Sequence, residues 1–279
     1  MTGSINVMTL NVNRLVQQAV KKDKDIFEEL KKEIQEIHKY QFSYKKMIEV
    51  FLKNHLLTVY DAKFIDLDKQ FLTIGLNGLL ESAEFLGYKA DNNKDYKKYL
   101  QKMLKVVFEE NIKGKKKYKS LFNTEIVPAE NLGVKNSMWD KKDDLFVPRE
   151  VYNSYFYKVE DENTDIVDKF ILHGKEINQY LDGGAALHLN LEEYLTEDQF
   201  YNLLCLSAQT GCNYFTTNVK ITICNECGYI NKDTKQYCIK CGSKNIDYAT
   251  RIIGYLKRIS SWSEKRQVEH SLRYYQQEK

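Results

Sequence analysis

Four cysteines in two close pairs constrain this chain more than any other feature. Cys224-Asn225-Glu226-Cys227-Gly228 is followed, with ten residues between the inner cysteines, by Cys238-Ile239-Lys240-Cys241-Gly242. The pattern is C-x2-C-x10-C-x2-C with glycine after each pair. Two residues between thiolates let both sulfurs of a knuckle face one ion. The glycine relieves the tight turn and lets backbone N–H groups point at the sulfurs. Four thiolates favour tetrahedral zinc in a closed structural site, with Cys224, Cys227, Cys238 and Cys241 as ligands. A rubredoxin-type iron and a redox dithiol suit the same spacing. Ribbons of this kind serve many functions, nucleic-acid binding included, so the motif speaks for a metal before it speaks for an activity.

Composition narrows the functional classes. The chain has 279 residues, 43% of them hydrophobic, enough for a large core. Its 42 basic and 39 acidic side chains leave a net charge of +3, no basis for coating a polyanion. That balance, and the lack of a concentrated basic face beside the ribbon, count against a nucleic-acid-binding module. Two prolines exclude a Pro-rich linker protein, and 13% aromatic residues argue against disorder. No run approaches the ~18 apolar residues of a membrane span. Met1-Thr2-Gly3-Ser4-Ile5-Asn6 has neither a basic n-region nor an apolar h-region. The expectation is a cytoplasmic protein without membrane contact. In that compartment its six cysteines, all between Cys205 and Cys241, read as thiols or metal ligands rather than disulfides.

Periodicity places an α/β arrangement around the ribbon. Val7, Leu10 and Val12 form a short strand-like run. Apolar residues from Ile26 to Leu52 approximate helical spacing over Asp25–His55, with an end near Asn54. Phe71–Leu76 reads as a buried strand, Asn77-Gly78 as a turn, and Leu79–Leu86 as a helix closed by Gly87. A further helix is expected over Lys94–Glu110, and the basic run Lys113-Gly114-Lys115-Lys116-Lys117 reads as a solvated loop rather than a phosphate site. Phe122–Val127 is expected to be a strand, Asp168–Tyr180 a helix ended by Asp182-Gly183-Gly184, and Ala186–Leu191 a strand. Thr196 and Gln199 form a capping box opening the next helix. Cys205, in the apolar run Leu203–Leu206, reads as a structural thiol. Cys212, after Gly211 in a loop, is the better placed of the two for an active site, though a structural thiol remains the simpler reading. His188 reads as core packing on a strand before catalysis.

Beyond the ribbon lies Tyr248-Ala249-Thr250-Arg251-Ile252-Ile253-Gly254-Tyr255-Leu256. Its Arg-x-x-Gly-Tyr core, just after a four-cysteine ribbon, resembles the glycyl-radical loop of the anaerobic (class III) ribonucleotide reductases. Further segments resemble that family in the expected order. They are Met1–Val7, Thr73–Gly78, Phe122–Asn131, Val147-Pro148-Arg149, Tyr152–Phe156, His188–Leu191 and Gly211–Thr216.

The resemblance implies the C-terminal half of a ten-stranded α/β barrel over residues 1–220, a zinc ribbon over 221–245, and a radical loop with C-terminal tail over 246–279. It implies that Gly254 carries the glycyl radical, formed by a radical-SAM activating enzyme that uses S-adenosylmethionine and an iron–sulfur cluster. Glycine suits this role because its α-carbon flattens and delocalises the unpaired electron into the flanking amides. In the family that radical takes hydrogen from a cysteine, and the thiyl then takes the 3′-hydrogen of a ribonucleoside triphosphate while the 2′-hydroxyl leaves as water. Formate or a thioredoxin-type system is the reductant. The ribbon would then hold the radical loop in register. Asn123, Glu125, Glu130 and Asn131 fall in a matched segment that implies substrate contact, with backbone N–H groups at a helix start available to phosphates.

One departure accompanies the match. No cysteine occurs in residues 1–204, so the thiyl cysteine is expected on an upstream half supplied as a separate partner. The assembled enzyme would be a homodimer. The alternatives are a non-catalytic fragment and a zinc-ribbon nucleic-acid-binding module.

Overall fold

Strand and helix alternate along the first 127 residues because short β-branched runs are separated by long amphipathic ones. The computed structural model describes residues 3–127, 131–251 and 254–276. Its chain forms two compact units. The first comprises Met1–Lys89, Asn93–Val127 and Glu176–Ala185; the second comprises Ala90–Asn92, Pro128–Lys175 and Ala186–Lys279.

In the first unit, β1 (Ser4–Asn11) leads through α1 (Val12–Lys21), α2 (Ile26–Lys53) and the short α3 (Thr58–Asp61) to β2 (Phe71–Asn77). Then α4 (Leu79–Phe85) and α5 (Lys94–Tyr118) lead to β3 (Leu121–Ile126). The sheet order is β1-β2-β3, parallel throughout. Asp25 caps α2 by accepting from the Glu28 N–H, and Asn93 caps α5 through the Asp95 and Tyr96 N–H groups. The two long helices pack on each other and on the sheet. Leu30 and Ile34 of α2, Leu100 and Leu104 of α5, and Leu72, Ile74 and Phe122 of the strands are all fully buried there. Each contributes about 1.5–3 kcal/mol through removal from water. A polar thread crosses this core. His38 Nε2 donates to Asn111 Oδ1 at 2.8 Å, and Asn111 Nδ2 donates to Thr124 Oγ1 at 2.7 Å, tying α2, α5 and β3 together.

Parallel strands covered on both faces are ordinarily apolar on both. Here the registers set Val7, Thr73 and Asn123 in one row and Thr9, Gly75 and Glu125 in the next, so the face away from the helix core is polar. The outer edge of β3 is covered by Asp182–Gly184: the Gly183 N–H donates to the Thr124 carbonyl at 2.8 Å and the Ile126 N–H to the Gly184 carbonyl at 3.1 Å. Among the described residues, β1 has no strand on its other side.

Three expectations differ from what is seen. The basic run after Lys113 is not a loop but the last turns of α5. Gly114 lets α5 approach α2, since a Cβ there would lie 2.8 Å from the His38 ring, and lysines in a last helical turn complement the carbonyl end of the helix dipole. The single helix expected over Asp168–Tyr180 is two, α7 (Ile166–Leu172) and α8 (Lys175–Asn178), broken at His173-Gly174, where glycine is a poor helix former. Val12 opens a helix rather than ending a strand, with Asn11 as its cap.

In the second unit α6 (Leu132–Lys142) and α7 precede β4 (Leu187–Leu191). After β4, α9 (Glu197–Thr210) crosses over to β5 (Phe215–Val219), which pairs parallel with β4. The capping box of Thr196 and Gln199 is present, and Gly211 ends α9 in the left-handed region. A four-stranded antiparallel sheet follows, in the order β7-β6-β8-β9. Its strands are β6 (Ile221–Cys224), β7 (Ile230–Asn231), β8 (Ile246–Arg251) and β9 (Leu256–Arg258), and α10 (Glu264–Leu272) closes the described chain.

Candidate metal centre and glycine hairpin

The four cysteines converge. Their sulfurs all lie within 4.8 Å of one another, with Cys224 to Cys241 and Cys227 to Cys238 both at 3.6 Å. A tetrahedron of sulfurs about 2.3 Å from zinc has edges of about 3.8 Å, so the donor set and its spacing fit such an ion. Gly228 and Gly242 have φ of 70° and 74°, the left-handed region the knuckle turns need. The Cys227 N–H points at Cys224 Sγ at 3.5 Å. Burial raises the Cys238 thiol, but N–H groups of Cys241 and Lys240 outweigh it and lower the group below the ordinary thiol value, while Cys241, which shares its proton with the neighbouring sulfurs, is raised. Neighbouring N–H donors thus favour the thiolate form that a metal takes.

The knuckles and the glycine share one sheet. Cys224 ends β6 opposite Ile246 at the start of β8, and β8 turns back into β9 with Arg251 opposite Leu256. Gly254 lies in the connection between those two strands. A side-chain chain reinforces the link. Arg258 Nη1 of β9 donates to Asn225 Oδ1 at 2.6 Å, Asn225 Nδ2 to Asn245 Oδ1 at 3.0 Å, and Asn245 Nδ2 to Glu226 Oε1 at 2.6 Å. Asn225 and Glu226 are the two residues inside the first knuckle. Gly254 itself is exposed, lies outside the left-handed region, and a Cβ built on it meets nothing within 4 Å. Among the described residues, neither conformation nor packing calls for glycine there. Ile252 and Ile253 of the same motif lie outside the described residues.

The remaining sequence candidates are dispersed. Asn123 is buried on the polar face of the first unit's sheet, its Oδ1 accepting from Thr73 Oγ1 at 2.6 Å. Glu125 stands two residues along on that face, half-buried, with burial raising its carboxyl above the ordinary range. Asn131 belongs to the second unit as the N-cap residue of α6, where its side chain makes no capping bond. Glu130 lies outside the described residues.

Cys212 is buried, its thiol donating toward the Tyr214 carbonyl at 3.6 Å, and burial pushes it up to about 11. Burial thus keeps this thiol protonated and disfavours the thiolate that acts as a nucleophile or metal ligand. Cys205 on α9 is only half-buried. His188 is buried on β4, its Nδ1 facing Asn218 Nδ2 at 3.4 Å.

His188 shares an acid-sensitive environment with two other histidines of the second unit. Burial lowers His173, His188 and His270 from 6.5 to about 4, 3 and 4. Their folded values lie below the unfolded one, so the unfolded chain takes up protons first as pH falls. The stability linked to their neutrality is complete above about pH 6.5 and drains toward pH 4, by up to about 1.4 kcal/mol per pH unit for each histidine. The expected outcome is a Tm several degrees lower at pH 5 than at pH 7.5. An unchanged Tm across that interval would show that these imidazoles accept protons in the folded state.

Parallel strands with a polar face, and a four-thiolate module whose sheet carries a glycine hairpin, define a mixed α/β protein with a metal-type module. Its sequence matches the anaerobic ribonucleoside-triphosphate reductase family over residues 1–275, and the chain belongs to that family. A solved anaerobic ribonucleotide reductase is similar over 100% of this chain and 46% of its own, with 28% identity and a TM-score of 0.91. The Thermotoga maritima anaerobic ribonucleotide reductase in complex with dATP and CTP is similar over 96% of this chain and 45% of its own, at 28% identity and a TM-score of 0.85. The same figures hold for the Thermotoga maritima enzyme with glycerol in its active site. The chain therefore spans less than half the length of these solved reductases. Comparison with curated proteins found no match. Among the described residues no helix is long and apolar enough to cross a membrane.

Proposed function

We propose that this chain supplies the radical-bearing part of an anaerobic enzyme that reduces ribonucleoside triphosphates to 2′-deoxyribonucleoside triphosphates. The observation that carries the reading is the setting of Gly254. It occupies the turn of a hairpin in the same sheet as the cysteine knuckles, at a position where the chain's own conformation and packing do not require glycine. Storage of a radical at a side-chain-free α-carbon gives a reason for the residue that packing does not. Cys224, Cys227, Cys238 and Cys241 would hold zinc, which in a closed four-thiolate site contributes folding energy. The hydrogen-bonded path from Asn225 to Arg258 would pass that order to the hairpin. Residues 1–220 would contribute the barrel portion, 221–245 the ribbon, and 246–279 the radical loop and tail.

On the polar sheet face, Asn123 and Glu125 are the side chains proposed to meet the nucleotide, with Glu130 and Asn131 beyond β3. Burial raises the Glu125 carboxyl above its ordinary range, and on the polar face it would offer a ribose hydroxyl a hydrogen-bonding partner. The hydrogen-abstracting cysteine would come from further polypeptide outside this sequence. The side of β1 that has no neighbouring strand among the described residues is the edge proposed for such a partner, since a sheet edge is a template for another strand. A radical-SAM enzyme would act on Gly254, and the assembled reductase would be a homodimer.

Anaerobic reconstitution tests this reading. The chain would be combined with a cysteine-bearing segment of a reductase of this family, a radical-SAM activase, S-adenosylmethionine and a reductant. The mixture is expected to convert a ribonucleoside triphosphate to its 2′-deoxy product, and the chain alone to convert none. An assembled, radical-containing complex that yields no deoxynucleotide with either formate or a thioredoxin system would sink it.

A further inference from the structure

The stem of the glycine hairpin is held by Arg273, the residue that follows α10. After β9 the chain buries Trp262, runs along α10 and reaches Arg273, whose Nη1 donates to the Arg251 carbonyl at 3.1 Å. Arg251 is the last residue of β8 before the hairpin connection, so this bond closes residues 251–273 into a loop that contains Gly254. The guanidinium is itself fixed. Its Nε and Nη2 donate to Glu269 Oε1 and Oε2 at 2.8 and 3.1 Å, Arg266 Nη1 adds a contact to Oε2 at 3.2 Å, and the Trp262 ring lies 5.2 Å away. The Arg273 side chain is 2% exposed and that of Glu269 12%. Beyond Arg273 the tail is pinned to Val159 and to the end of β4. The Tyr274 N–H donates to the Val159 carbonyl at 2.8 Å, the Gln276 N–H to the Asn190 carbonyl at 2.9 Å, and the Glu192 N–H to the Gln276 carbonyl at 3.1 Å.

A buried ion pair of this kind is weak evidence for stability, because desolvation offsets much of the attraction; its better-attested use is to fix one arrangement over another. What the pair fixes here is visible. A planar guanidinium has enough donors, rigidly set, to grip both carboxylate oxygens and still reach the Arg251 carbonyl, a pattern that lysine cannot reproduce.

We propose that Arg273, oriented by Glu269, is a positioning residue for Gly254: it clasps the stem of the hairpin to α10, and opening the clasp frees the hairpin while the four-thiolate knuckles stay intact. The assignment rests on Gly254 being the radical carrier for its purpose, but not for its detection.

Hydrogen exchange on the full zinc-loaded chain tests it. Arg273→Lys and Glu269→Gln keep most of the volume while breaking the fork. Each is expected to speed exchange of the amides of Ala249–Arg251 and Leu256–Arg258 by about tenfold or more, the scale of losing one charged hydrogen bond. The strand amides of Thr222 and Ile223 and the zinc content should be unchanged. Unaltered exchange in the hairpin, or equal acceleration across the whole second unit, would overturn the clasp. The unmodified chain offers a check that needs no variant: the hairpin strands and α10 should open together, with protection agreeing within about threefold. A freely exchanging hairpin beside a protected α10 would also overturn it. The exchange result stands whether or not a radical forms, whereas absence of a radical signal from the activated unmodified protein counts against the glycine assignment alone.

Discussion

Gly254→Ala is expected to abolish the radical, oxygen-dependent chain cleavage and nucleotide reduction together, while leaving the fold and the metal in place. The unmodified protein, assembled and treated with the activase, S-adenosylmethionine and reductant, should show a doublet electron paramagnetic resonance signal split by the single remaining α-hydrogen. Glycine deuterated at the α-carbon should collapse that doublet. On exposure to air, oxygen adds to the carbon-centred radical and the backbone breaks there, releasing a fragment that begins near Tyr255. Alanine removes all three readouts because its α-carbon carries a side chain that opposes the flattening. The structure makes this a clean experiment. The added methyl meets nothing within 4 Å and the backbone is outside the left-handed region, so stability should change by no more than about 0.5 kcal/mol. All four cysteines precede the substitution, and zinc should remain at the unmodified level. Cleavage that persists in Gly254→Ala, or a radical that maps to another residue, would overturn the proposed function.

The second large effect concerns the metal. Anaerobically purified protein is expected to hold about one zinc per chain, and Cys238→Ser should remove it. Cys238 is buried among the knuckles and lies 3.6 Å from Cys227, so the serine hydroxyl replaces a thiolate inside the cluster rather than at its rim. Structural zinc in small four-ligand sites is worth roughly 10–16 kcal/mol of apparent binding energy, far more than a sheet of four short strands can supply by itself. Loss of the ion should therefore release β6 through β9, seen as rapid amide exchange from Ile221 to Arg258, with the first unit's β2 and α5 unaffected. Elemental analysis separates zinc from iron. Stoichiometric metal retained by Cys238→Ser, or four freely titratable thiols in the unmodified protein, would exclude the four-thiolate site.

How much of this was legible in the sequence varies with the range over which each signal acts. The knuckles were legible because two-residue spacing and a following glycine are local requirements of a tight turn around an ion. The capping box at Thr196 and Gln199 and the strand at Phe71 were legible for the same reason: their hydrogen bonds or burial pattern are set within a few residues. The end of α5 was not. Lysines around a glycine look like a loop, and only the His38 ring packed against Gly114 shows why the helix continues. The break in the helix at His173-Gly174 was marked only by a single glycine, which helices often tolerate. Arg266, Glu269 and Arg273 carry no such signal, because charges at helical spacing are ordinarily solvated; nothing local marks them as buried around the Arg251 carbonyl.

By itself the sequence determined the four-cysteine candidate set, the α/β alternation and the resemblance that singled out Gly254, because each is written in residue types at short, fixed spacings. Tertiary structure decided that the sulfurs converge within 4.8 Å, that the glycine hairpin belongs to the knuckles' own sheet, and that Arg273 returns to its stem. Those relations join residues far apart in sequence, and they exist only once the hydrogen-bond register of the strands and the burial of the charged side chains have been fixed by the fold.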